Sequence, residues 1–245
     1  MSISTIRFSP EIEVEFDPDD VETCDLLDGC DPCEDCGGDD CDNCNKDGNV
    51  ELDLIDFSIS GWEITEDCSL DNGLEYKPAS GHHLYYNKKT MAEIKKLLTL
   101  IKKKGGYTNV SCGLHIHVDV SKYTDEQIAN IIRLFAINQE KIISKFKVVK
   151  YRLDQYCRPL PTQLQGITTK NVAEFRREHK DTFWRQDDKK YYALNMECVY
   201  RGGYNTLEFR LFNGTVNYDT LHSYIRWVLN FVNKAKDGVN EDIQI

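Results

Sequence analysis

No run of about 18 uncharged apolar residues occurs anywhere in the chain, and a protein that crosses a membrane by helices is therefore not expected. The opening stretch, MSISTIRFSPEIEVEF, lacks the basic-then-apolar layout of a secretion signal. The expectation is a soluble protein of the cytoplasm. No internal repeat is present, which excludes solenoids and propellers. Basic residues are almost missing between Glu11 and Asp53, where 18 Asp and Glu stand against a single basic residue, Lys46. Such a stretch repels nucleic acid and attracts divalent cations, and no arginine-rich face or RNA-binding aromatic motif appears elsewhere. Neither nucleic acid nor a membrane is expected as a partner.

What is there suffices for a core. With 245 residues, 40% apolar and 11% aromatic, the chain is long enough for one large α/β domain or two small ones. The formal charge of -11 comes from the one acidic stretch, since the remainder carries 29 basic and 23 acidic residues. The fold proper is mildly basic, and a small substrate bearing phosphate is compatible with it.

Six of the ten cysteines lie between Cys24 and Cys44, in CDLLDGCDPCEDCGGDDCDNC. The close pairs Cys30/Cys33 and Cys41/Cys44 bracket a short Gly- and Asp-rich loop and can place four thiolates around one tetrahedral zinc, with Cys36 or Cys24 able to substitute. The alternatives are free thiols on a disordered acidic insertion, or a disulfide-stapled loop, against which the missing secretion signal argues. The zinc role would be structural, because so polar a segment, residues 21–50, buries too little apolar surface to hold itself. Cys68, Cys112, Cys157 and Cys198 stand singly within apolar patterns, where packing accounts for them.

Periodicity gives the element order. Residues 11–16 alternate as a strand with Ile12, Val14 and Phe16 on one face and Glu11, Glu13 and Glu15 on the other. Residues 62–68 and 74–79 read as two short strands joined by a polar turn with Asp71, Asn72 and Gly73. From Thr90 a capping box with Glu93 opens a helix that stops at Gly105-Gly106, and a second box, Thr124 with Gln127, opens another. Between them residues 110–120 alternate, with Gly113, His115, His117 and Asp119 sharing one side. Residues 151–190 read as basic, aromatic and irregular, with a short helical pattern over 172–179, and suit a substrate loop or lid. Residues 191–200 and 204–212 read as a hairpin around Gly202-Gly203, with Glu208 and Arg210 on the polar face. An amphipathic helix over 219–232 closes the order.

Three strands thus put ionisable groups two residues apart on their polar faces: Glu13 and Glu15, His115 and His117, Glu208 and Arg210. Such pairs lie about 6.6 Å apart, too far to grip one ion but suited to anchoring two neighbouring ions. If the strands share a sheet, carboxylates with imidazole suit Mg2+ or Mn2+, ions usually bound together with nucleotide phosphates. The bland alternative is a one-sided sheet that shows polar residues to water.

IEVEF, WEITEDCSL followed by LEYKPAS, then SCGLHIHVDV, YRLDQYCRPL, YYALN and TLEFRLFNGT resemble, in order, the amidoligases of the glutamine synthetase-like carboxylate-amine ligase superfamily. The resemblance runs from about residue 11 to 235, and GLHIHVD and TLEFRLFNGT are its most specific parts. It implies a single α+β catalytic domain over 1–245, a curved antiparallel sheet backed by helices, with ATP and two Mg2+ on the concave face. It also implies that Glu13 and Glu15 each hold one metal, that Glu75 completes one site and that His115 or His117 with Glu208 completes the other. By the same resemblance Arg210 neutralises the transferred phosphoryl group and Asp67 stands near the amine. Arg152 and Arg158 would be carboxylate or phosphate clamps, and Asn195 and Asn213 site-lining amides. Glu11 departs from the pattern, which has a small residue before the first glutamate, and the cysteine insertion has no place in it.

The implied chemistry is phosphorylation of a carboxylate by ATP to an acyl phosphate, which an amine then attacks with a carboxylate such as Asp67 as base. No Cys-His-Asp arrangement for stripping ammonia from glutamine is present, so the amine would be free ammonia or another amino group, on a metabolite, peptide or protein. Two readings compete. HxH followed by an aspartate could serve a metal-dependent hydrolase, although His82, His83, His179 and His222 stand in no ligand-spaced motif. A zinc-stabilised interaction module docking through its acidic loop is the other.

Overall fold

The computed structural model describes residues 2–17, 59–66, 70, 73–79, 83–178, 191–200 and 205–238. The cysteine insertion, Asp67 and the last part of the expected lid lie outside these. Among the described residues seven strands form one open, curved antiparallel sheet: β1 (Arg7–Glu15), β2 (Trp62–Glu66), β3 (Gly73–Pro78), β4 (Leu84–Tyr85), β5 (Gly113–Asp119), β6 (Leu194–Asn195) and β7 (Thr206–Asn213). The order across it is β2-β3-β1-β5-β7-β6, with β4 also on β1. On that edge of β1, β3 pairs with residues 12–15 and β4 with residues 7 and 8. Pro10, which has no N–H for a ladder, stands in the gap between the two pairings, so β1 begins earlier than the alternation alone implies.

Alternation decides which face is apolar. Phe8, Ile12, Val14, Leu114, Ile116, Val118, Leu207 and Phe209 belong to one continuous buried core. The helices α1 (Lys88–Lys103), α2 (Asp125–Phe146) and α6 (Tyr218–Ala235) add their apolar stripes to that core. Phe209 meets Phe135 of α2 and Phe231 of α6 edge-on at ring-centroid distances of 5.8 and 6.1 Å. Burying each such ring is worth roughly 3 kcal/mol.

A bulge on β7 changes its phase. Leu114 faces Phe212 but Ile116 faces Phe209, so Arg210 and Leu211 together oppose His115. Phe212 is thereby returned to the helix side, where it stacks on Tyr224 at 4.6 Å.

Three details differ from the sequence reading, and one that agrees stands among them. The α1 cap is Asn87, whose side chain accepts from the Thr90 N–H at 3.0 Å. Asn is a stronger cap than Thr, and Thr90 lies buried inside the first turn. The Thr124–Gln127 box of α2 forms as expected, both bonds present. The hairpin pairing of β6 with β7 is present, but β6 is only two residues long and the short helix α5 (Glu197–Tyr200) follows it. Asn195 causes this stop, because its side-chain oxygen accepts from the Glu197 N–H at 2.8 Å and turns the chain. The described part of residues 151–190 is more regular than its composition suggests. It holds α3 (Lys150–Gln155), a 3-10 turn (Thr162–Gly166) and α4 (Thr169–Glu178), and Leu160, Leu164, Ile167 and Val172 bury themselves in the core beside α2.

Replacing Asn87 by Ala is expected to lower stability by about 1 kcal/mol, and by Asp much less, read as a shift of the urea midpoint at unchanged slope. Equal losses for both replacements would show that capping is not what Asn87 supplies.

Candidate functional site

Register gathers the polar face into adjacent rows. Glu13 lies directly opposite Glu75, Glu11 opposite His115, and His117 opposite Glu208, which on its other side faces Asn195. Directly opposed side chains on neighbouring strands touch, so residues as far apart in the chain as Glu11 and His115 become nearest neighbours. His115 is only 3% exposed. Its Nε2 is 3.1 Å from Glu13, and its Nδ1 is 3.4 Å from both Glu11 and Glu208. The His117 Nε2 lies 3.1 Å from Glu11 and 3.8 Å from Glu208.

Fixed donors hold the carboxylates in place. The Gly113 N–H donates to Glu13 at 2.5 Å, the Asn195 amide to Glu208 at 2.6 Å, and Arg210 Nη1 to Glu208 at 2.5 Å. Glu15 shares the face but accepts from Asn109 at 2.6 Å and from Ser111 at 3.1 Å. Lys77 sits 3.3 Å from Glu75.

The charges tune one another. Burial opposes ionisation of Glu11, yet His117 and His115 beside it hold its carboxyl well below the usual range. Burial likewise opposes charge on His117, but Glu11 and Glu208 outweigh it and raise its pKa to about 9. For Glu75, burial and the nearby Glu11 carboxylate push the pKa up. Glu208 is buried too, and His117, Arg210 and His115 lower its pKa nonetheless.

Three groups of metal-ligating atoms lie within 4.8 Å of one another among the described residues: Glu13, Glu75 and His115; Glu11, His115 and Glu208; and His117, Cys198 and Glu208. Both ring nitrogens of His115 and the Nε2 of His117 are buried without a well-formed hydrogen bond. Buried imidazole lone pairs and oxygens from four carboxylates make a donor set that fits hard divalent cations with partial nitrogen ligation.

Of the expected site residues, Glu13, Glu75, His115, His117, Glu208, Arg210 and Asn195 meet on this face. Glu15 joins none of the three groups, and Asp67 and the cysteines Cys30, Cys33, Cys41 and Cys44 lie outside the described residues. Arg152 is buried beside the cluster and donates to the backbone oxygens of Ser111 at 2.6 Å and Arg210 at 3.5 Å. Gly113 leaves room for it, since a Cβ there would come within 2.3 Å of its Nη2. Arg158 bridges to Tyr192 through its backbone. Asn213 is not brought to the cluster; it accepts from the Val149 N–H and donates to the Lys147 carbonyl, both at 3.1 Å. His222 is also remote, engaged with the Tyr86 hydroxyl at 2.6 Å, so it adds nothing to the histidine pair.

Two members were not singled out from sequence as ligands. Glu11 shares the strand alternation that marked Glu13 and Glu15, and this period was the available signal. Cys198 carried no signal, because a lone cysteine among apolar residues reads as packing.

Fold and cluster together define a mixed α/β protein with a buried carboxylate–imidazole centre on an open antiparallel sheet. The sequence matches the family described as "putative amidoligase enzyme" over residues 83–232, more than half of the chain, and the protein belongs to that amidoligase family of ligase-type enzymes. The matched segment holds β5, β6 and β7, and so both histidines, Glu208 and Arg210, while β1 and β3 with their glutamates precede it. No match was found among the curated proteins. No described helix is long and apolar enough to cross a membrane.

Protonated His117 faces Glu11, Glu208, Arg210 and, more distantly, His83. Its folded pKa of about 9 stands above the ordinary 6.5, so its stabilising effect is complete below pH 6.5 and lost as the pH rises through about 9. Unfolding in EDTA should show the protein losing stability over that window relative to His117→Gln. A difference between the two proteins that is flat with pH would refute the charged imidazole.

Proposed function

We propose that the protein is an ATP-dependent carboxylate-amine ligase of the glutamine synthetase-like type that forms an amide through an acyl phosphate. The observation that carries this reading is the convergence of Glu11, Glu13, Glu75, His115, His117 and Glu208 from four strands beside Arg210. Membership of the amidoligase family supports the ligase class.

In this reading Glu13 and Glu75 with His115 hold one divalent ion, and Glu11 and Glu208 with an imidazole hold a second. Glu15 is a further carboxylate on the same strand face. Magnesium-type ions, when bound, offset phosphate charge and polarise the phosphoryl oxygens. The chain's own contribution is orientation and charge. The Gly113 N–H and Asn195 amide fix Glu13 and Glu208, so donor positions are set before substrate arrives and little reorganisation is needed. Arg210, whose Nε has no hydrogen-bond partner among the described residues, supplies positive charge for the transferred phosphoryl group.

The substrate carboxylate attacks the terminal phosphorus of ATP, releasing ADP. The amine then attacks the acyl carbon and phosphate leaves, while a carboxylate takes the amine proton; Asp67 is the proposed base. Arg152 and Arg158 are proposed as anion clamps. Zinc held by Cys30, Cys33, Cys41 and Cys44 is proposed as a separate structural element, on the strength of its spacing. A cytoplasmic protein acting on a metabolite, peptide or protein fits these expectations.

Glu13→Gln or Glu208→Gln should each reduce amide formation by about 100-fold or more, measured as ADP released with a panel of carboxylates and amines. Turnover that consumes no ATP would overturn the ligase reading in favour of hydrolysis.

A further inference from the structure

The third donor group differs in kind from the other two. His117, Cys198 and Glu208 present an imidazole nitrogen, a thiol sulfur and a carboxylate oxygen within 4.8 Å of one another. Sulfur is a poor ligand for Mg2+ and a preferred one for Zn2+, and a Cys, His and carboxylate set with an open fourth position is a normal zinc environment.

The thiol is held there from both sides. Asn195 donates to Glu208 and accepts from the Glu197 N–H, tying the start of α5 to the carboxylate. The Cys198 carbonyl accepts from the Asn205 N–H at 3.1 Å, which fixes α5 against the start of β7. His117 is oriented by Thr206, 3.0 Å from its Nδ1, leaving Nε2 on the side of Glu11 and Glu208. The sulfur is thus carried by α5, which is held between the end of β6 and the start of β7.

We propose that His117, Cys198 and Glu208 form a second, softer metal site that takes Zn2+ and, by engaging Glu208, blocks the magnesium-type centre next to it. On binding, the Cys198 thiol and the His117 imidazolium each yield a proton to solvent, and the thiolate, neutral imidazole and carboxylate close on the ion. The metal site stands on geometry alone; only the blocking consequence rests on the ligase reading.

The test is a zinc count on the full chain, equilibrated with Zn2+ in the presence of Mg2+, compared with Cys198→Ser and His117→Gln. The cysteines of residues 24–44 are common to all three proteins and cancel in the difference. Each variant should bind one zinc fewer per chain. Where amide formation is measurable, Cys198→Ser should need at least about tenfold more zinc for half inhibition, since losing even a supporting partner of a ligand costs that much. A measurement on the unaltered protein guards against misfolded variants: Zn2+ but not Mg2+ should slow alkylation of Cys198, followed by mass spectrometry of its peptide. Alkylation of Cys198 at the same rate with and without zinc would overturn the site, as would an unchanged zinc count in folded variants. A lost zinc equivalent without any ATP-dependent ligation would keep the site and reject the ligase reading.

Discussion

The register of β1 against β3 and β5, and of β5 against β7, is the constraint on which the centre depends. It sets Glu75 beside Glu13, Glu11 beside His115, and His117 beside Glu208. A slip of one residue at any of these ladders would send that strand's carboxylates or imidazoles into the helix-covered core. The slip is prevented by the opposite face, where Phe8, Ile12, Val14, Ile116, Val118 and Phe209 are fully buried. The apolar side thus enforces what the polar side cannot, since buried like charges repel. At a separation near 4 Å the repulsion is about 4 kcal/mol in a surface-like dielectric. His117 offsets this for Glu11, His117 and Arg210 for Glu208, and Lys77 for Glu75.

Around this register the molecule spends small features to aim particular groups. The β7 bulge places Arg210 and Leu211 opposite one residue, His115. Gly113 serves twice: its backbone donates to Glu13, and its missing Cβ makes space for the buried guanidinium of Arg152. Asn195 fixes a carboxylate, ends a strand and starts a helical turn. Arg7 and Asp119, on the same face beyond His117, pair with each other at the edge of the cluster. Asp119 therefore belongs to the strand's polar alternation but to none of the three donor groups.

Hard and soft donors share one carboxylate, Glu208. It lies with Glu11 and His115 in one group and with His117 and Cys198 in another. Which ion such a face holds depends on which atoms a metal prefers as well as on how many charges are present.

Much of the fold was legible because local physics decides it. Strict alternation marked β1 and β5, the Thr124–Gln127 box marked the start of α2, and the polar turn before Leu74 separated β2 from β3. Where two local signals competed, as Asn87 against Thr90 or the aromatic run 191–200 against the Asn195 turn, side-chain hydrogen bonds settled the outcome and periodicity could not foresee it. The sequence by itself determined which residues share a face of each strand, and hence that glutamates, histidines and an arginine would be presented opposite apolar partners. Only the tertiary structure decided which of them meet: that Glu11 stands in the carboxylate–imidazole cluster, that Glu15 is engaged by Asn109 and Ser111, that Asn213 latches a turn, and that Cys198 comes to the edge of the cluster. The physical reason is that face is a property of one strand's period, whereas contact is a property of register between strands, which long-range packing of the opposite face fixes.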